Sequence, residues 1–125
     1  MTFKYLRSTP ERRAAIFKIK LMFDEAHRLR EEGNLAALAE QIADIQIHMA
    51  EINRGREKAL FTHDEECESA AFVRANGAKA GFQFLDIHLE SSAESLRLLE
   101  EMLRISFEVE MADSSGVESG EIEFY

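Results

Sequence analysis

The chain has 125 residues, 46% apolar and 31% charged, with one proline, six glycines and a net charge of −9 from 24 acidic and 15 basic residues. That is enough for one domain with its own core and too little for two. No run approaches the roughly 18 uninterrupted apolar residues of a membrane helix, Met1 to Arg7 lack the apolar stretch of a signal peptide, and the lone Cys67 supplies neither an internal disulfide nor a cysteine-based zinc site, so the expectation is a cytoplasmic protein without membrane contact.

The first expected helix opens at Ser8-Thr9-Pro10-Glu11, which reads as a capping box with Ser8 as the cap and Pro10 in the first turn, where its missing N–H costs nothing. Ile16, Ile19, Phe23, Ala26 and Leu29 recur at spacings of three and four, and the run closes at Gly33. Arg12, Arg13, Lys18, Lys20, Arg28 and Arg30 make its polar side basic.

Asn34 can cap a second helix, in which Leu35, Leu38, Ile42, Ile45, Met49 and Ile52 alternate three and four while Ile47 falls outside. So short a link predicts a helical hairpin. One glycine in a helix costs only about 1 kcal/mol, so the expected end lies beyond Gly55, near Leu60 or Phe61.

Glu40, Asp44, His48 and Glu51 form a stripe along this helix. Helical bundles can hold metals through carboxylates projected from facing helices. Within the stripe, Glu40-Gln41-Ile42-Ala43-Asp44 is similar to the Glu-Glu-x-x-Asp element of the all-helical MazG-type nucleotide pyrophosphatases, departing at Gln41. Where that family carries a Glu-x-x-Glu pair upstream, this chain has Glu25-Ala26-His27-Arg28, which lacks the second carboxylate. The resemblance implies a magnesium-dependent nucleotide pyrophosphatase using Glu25, Glu40 and Asp44. The stripe lies mostly outward from the Leu38/Ile42/Ile45 seam, where a solvated face explains it as well.

Thr62-His63-Asp64-Glu65 looks like another capping box, with acidic residues where the helix dipole favours them. His63, Asp64 and Glu66 are weak metal candidates, because consecutive helical residues diverge by about 100° and do not converge unaided. Carboxylate neighbours raise a thiol's pKa, which argues against Cys67 as a catalytic thiolate. No phosphate loop, nucleophile elbow or zinc-protease motif is present.

Ala71, Ala75, Ala78, Phe82, Leu85 and Leu89 give the next seam, continuing in phase through Ser92, Leu96, Leu99 and Leu103. Ser91-Ser92-Ala93-Glu94 can cap a fourth helix, so a break at Ser91 is expected, with one rod of about forty residues as the alternative. A second stripe, Val73, Ala80, Phe84 and Ile87, marks this helix as apolar on two faces, either central to the bundle or a surface for self-association.

From Ile105 the pattern alternates strictly: Ile105, Phe107, Val109 and Met111, then Ile122 and Phe124 after Asp113-Ser114-Ser115-Gly116. This reads as a short C-terminal β-hairpin; the competing reading carries the helix to about Met111 and leaves an acidic, disordered tail. Residues 105–125 hold Glu108, Glu110, Asp113, Glu118, Glu121 and Glu123 with no Lys or Arg, and so account for −6 of the net −9.

The expected architecture is therefore mainly α: an antiparallel bundle of three to four helices over 1–111, with an acidic tail or hairpin over 112–125. An acidic body repels phosphates, which excludes direct nucleic-acid binding of the usual kind, whereas an acidic end attracts basic protein surfaces. The expected function is a small interaction protein, an adaptor, assembly factor or inhibitor, that binds another protein and forms a homo-oligomer. Its expected contact residues are Val73, Phe84, Ile87, Glu108, Glu110, Glu118, Glu121 and Glu123, with no cofactor unless the pyrophosphatase resemblance brings Mg2+.

Overall fold

A computed structural model describes residues 3–5, 9–54, 61–114 and 122–124. They form β1 (Phe3–Tyr5), α1 (Pro10–Glu32), α2 (Leu35–Asn53), α3 (His63–Ala80), α4 (Phe82–Ser114) and β2 (Ile122–Phe124). The mainly helical bundle expected from the heptad-like seams is what the chain adopts.

Local chemistry sets the helix ends. Thr9, rather than Ser8, is the cap of α1: its hydroxyl accepts the Arg12 N–H at 3.2 Å, leaving Pro10 at the first helical position. Ser8 itself lies outside the described residues. Gly33 closes the helix at φ +76°, and the Gly33 and Asn34 N–H groups donate to the Arg30 and Leu29 carbonyls, both at 3.1 Å. Asn34 at once caps α2, its side-chain oxygen accepting from the Ala37 N–H. The hairpin follows from that link. Thr62 and Glu65 complete the expected capping box of α3 in both directions.

The seams of α1 and α2 are buried as their spacing requires. Ile16, Ile19, Phe23, Ala26 and Leu29 face inward from α1, and Leu38, Ile42, Ile45 and Met49 from α2. Ile47, expected outside, is half-buried against the core. Helix α2 stops at Asn53, short of the expected Leu60 or Phe61. At the other end of the hairpin, Arg30 grips both oxygens of Asp86 at 2.8 and 3.2 Å and lies 4.5 Å from the Phe82 ring centroid, tying the end of α1 to the start of α4.

The region after α2 corrects the sequence reading most. Ala71, Ala75 and Ala78 are exposed, and α3 buries Glu66, Ala70, Val73 and Gly77 instead. These match Ala39, Ala43, Gln46 and Ala50 of α2, buried at the same i, i+4, i+7, i+11 spacing. Helix α2, not α3, is thus the one buried on two faces. Its second face is made of alanines and a glutamine, which a count of large apolar residues passes over. At Gly77 the approach is so close that a Cβ would sit 2.7 Å from the Ala39 Cβ and 2.9 Å from Leu85 Cδ2.

The helix break falls at Gly81, ten residues before the expected Ser91. Gly81 has φ +93° and ψ 173°, a conformation essentially restricted to glycine. Beyond it the seam Leu85, Leu89, Ser92, Leu96, Leu99 and Leu103 is buried as expected. The alternation after Ile105 does not make a strand: α4 runs through Met111 to Ser114, as the competing helical reading held, so the boundary placed at 111/112 falls inside a helix. The second half of the expected hairpin does form a strand, but β2 pairs in parallel with the N-terminal β1, Phe3 opposite Ile122 and Tyr5 opposite Phe124. A hairpin partner in the preceding segment was ruled out once that segment was helical.

Candidate functional site

A cleft of about 570 Å³ lies between α3 and α4, floored by α2. Helical spacing puts Glu65, Glu66, Ser69 and Phe72 on one side of α3 and Ile87, His88, Ser91 and Ser92 on one side of α4, and these line the cleft with Gln46 below. Phe72 and Ile87 are 53% and 60% exposed although both are large and apolar. The Phe72 ring lies 5.7 Å from Phe84, which in turn lies 4.7 Å from the His88 imidazole, so an aromatic strip bridges the two helices.

The floor is polar. Gln46 Nε2 donates to Ser69 Oγ at 2.8 Å, and His88 Nδ1 lies 3.5 Å from each of them. Gln46 Oε1 is buried without a hydrogen-bond partner. Burial holds the His88 pKa below its ordinary value, favouring the neutral imidazole. Deeper still, Glu66 is only 3% exposed, and the Ser95 hydroxyl donates to its Oε1 at 3.3 Å. Burial pushes this carboxyl up to about 7, against a smaller opposing pull from Ser95 and with a small further rise from Glu65. A serine beside a histidine suggests nucleophile chemistry, but among the described residues no hydrogen bond joins His88 to a carboxylate that would orient it.

No family model matches this chain, and no curated protein or solved structure matches it.

The carboxylates of the pyrophosphatase-like stripe are engaged elsewhere. Arg74 of α3 reaches across to Glu40 at 3.1 Å and to Asp44, while Glu25 takes Arg28 at 2.8 Å, so the three do not gather. Gln41, where that family has glutamate, donates its amide to the Met22 carbonyl at 3.0 Å, a bond a carboxylate could not make. His48 is likewise turned to the Asp44 backbone carbonyl at 2.8 Å.

The metal candidates also separate. His63 sits between Asp64 at 3.1 Å and Arg54, whose guanidinium donates to its Nε2 at 2.9 Å, whereas Glu66 points into the core. Among the described residues no group of three or more histidine, cysteine, aspartate or glutamate side chains is placed to hold a metal ion, and no helix is long and apolar enough to cross a membrane.

Of the expected contact residues, Ile87 is on the surface, Phe84 is half-buried beside it, and Val73 is fully buried against the core and unavailable to a partner. Glu108 and Glu110 lie on the last turns of α4, and Glu123 is in β2 opposite Lys4. Glu118 and Glu121 lie outside the described residues. Sequence reasoning missed Phe72, Ser69 and Gln46. The signal was present for Gln46, which falls in register with Ala39, Ala43 and Ala50.

Proposed function

We propose that this chain is a small helical interaction protein that grips a basic, apolar-bearing surface of another protein through its α3–α4 face. The observation that carries the reading is the pair Phe72 and Ile87, more than half exposed on the walls of one cleft whose α3 side carries Glu65 and Glu68. Burying two such side chains drives association, and the carboxylates select a cationic neighbour. The acidic residues 105–125 add long-range attraction for the same kind of surface, which suits an adaptor, an assembly factor or an inhibitor.

The test is affinity capture from the native host with the partner identified, repeated with Phe72→Glu/Ile87→Glu and with Glu118, Glu121 and Glu123 changed to Gln. The reading expects the same partner to be lost with the first variant, and to be weakened with the second at low salt only. A partner retained in full by the Phe72→Glu/Ile87→Glu protein overturns it.

A further inference from the structure

We infer that the occupant of the α3–α4 cleft is the outer face of α1 from a second copy of this chain, so that copies join head to tail. The inference rests on the reading of that cleft as a protein-binding surface and names what enters it. On α1, Phe17 and Leu21 stand one turn apart, 63% and 53% exposed, opposite the buried stripe. They and Phe72 and Ile87 are the large apolar side chains that stand most exposed among the described residues. An i, i+4 pair of apolar anchors is what a helix presents to a groove, and the α3–α4 cleft, about 570 Å³ in volume, has apolar walls at Phe72 and Ile87 for such a pair to meet.

Charge complements the two faces. The half of α1 that bears the anchors carries Arg12, Arg13, Lys18 and Lys20, the last paired with Glu100 of its own chain, against Glu11 alone, while the surface of Thr62 to Phe72 carries Asp64, Glu65 and Glu68 with no Lys or Arg. Lys18 and Glu68 make no ion pair with each other or with any other group among the described residues. Although α1 touches α4 through Lys20 and Arg30, Phe17 and Leu21 on α1 and Phe72 and Ile87 on the cleft walls all stand exposed, so each molecule keeps both faces open. An interface between different patches is heterologous: it closes into a ring or continues as a filament, unlike a two-fold dimer.

Sedimentation of the full chain at low salt tests this with two variants, Phe17→Glu/Leu21→Glu and Phe72→Glu/Ile87→Glu. All four positions are exposed, and circular dichroism checks that both variants keep the helical content of the wild type. The wild type should associate, each variant alone should sediment as a monomer, and an equimolar mixture should double in mass, because each variant retains the face the other lacks. A second pair works by charge: Lys18→Glu and Glu68→Lys should each weaken association several-fold, and their combination in one chain should restore it. A wild type that stays monomeric overturns the inference, and so does a mixture that stays monomeric or a variant that still associates alone. If the wild type is monomeric yet the cleft variant loses its host partner, head-to-tail joining fails while the interaction reading stands.

Discussion

The Ser95 hydroxyl meets the Glu66 carboxyl at 3.3 Å inside the bundle, where Glu66 is 3% exposed and Ser95 2%. One hydroxyl does not replace the water lost by a carboxylate, so the folded protein holds Glu66 protonated up to a pH of about 7, while the unfolded chain ionises it near 4.5. Below both values the acid is neutral in either state and costs nothing. Between them only the unfolded state gains by releasing the proton, so Glu66 lowers stability as pH rises from about 4.5 to 7, by on the order of 3 kcal/mol. Glu66→Gln should abolish that slope and make the protein more stable than wild type at pH 8 by urea titration. The depressed pKa of His88 acts in the opposite sense, removing stability as pH falls below about 6.5, so the two contributions separate only when the variant is compared with wild type across the full range.

Gly77 is where α3 comes closest to α2. Alanine there would gain up to about 1 kcal/mol in helix propensity but would collide with Ala39, whose Cβ cannot turn away. Overpacking of this kind costs about 1–3 kcal/mol, so Gly77→Ala should be net destabilising, by roughly 1 kcal/mol in chemical denaturation.

Gly81 makes the converse case. Nothing lies within 4 Å of where its Cβ would be, yet its backbone is at φ +93° and ψ 173°. Gly81→Ala should cost about 1–3 kcal/mol through conformation alone. Because the strain is local to the α3–α4 junction, circular dichroism should show full helicity beside a lowered Tm.

Val73 and Ile87 were grouped by sequence in one stripe, and the fold separates them. Val73→Glu buries a charge against Gly77 and the α2 face and should lose more than about 4 kcal/mol, enough to threaten folding. Ile87→Glu, at an exposed position, should change stability by no more than about 0.5 kcal/mol. Thermal melts of the two single variants decide the point.

Where large apolar residues kept a regular spacing and a cap or glycine marked the ends, local sequence determined the structure. The α1 and α2 seams, the Gly33-Asn34 link, the Thr62/Glu65 box and the Leu85 to Leu103 seam all follow from short-range chemistry. Three decisions came only from tertiary packing. The inward face of α3 was set by how closely it could approach the alanine stripe of α2, which favoured Gly77 and even Glu66 over the exposed alanines. The break came at Gly81 because turning α4 back onto the bundle needed a backbone conformation that serine cannot take, although the apolar spacing ran on without a slip. The alternating segment after Ile105 stayed helical as a continuation of α4, and β2 found its partner at the far end of the chain. The candidate site was hidden for the same reason: Gln46, Ser69, Phe72 and His88 are ordinary residues on three helices, and only packing brings them around one cleft.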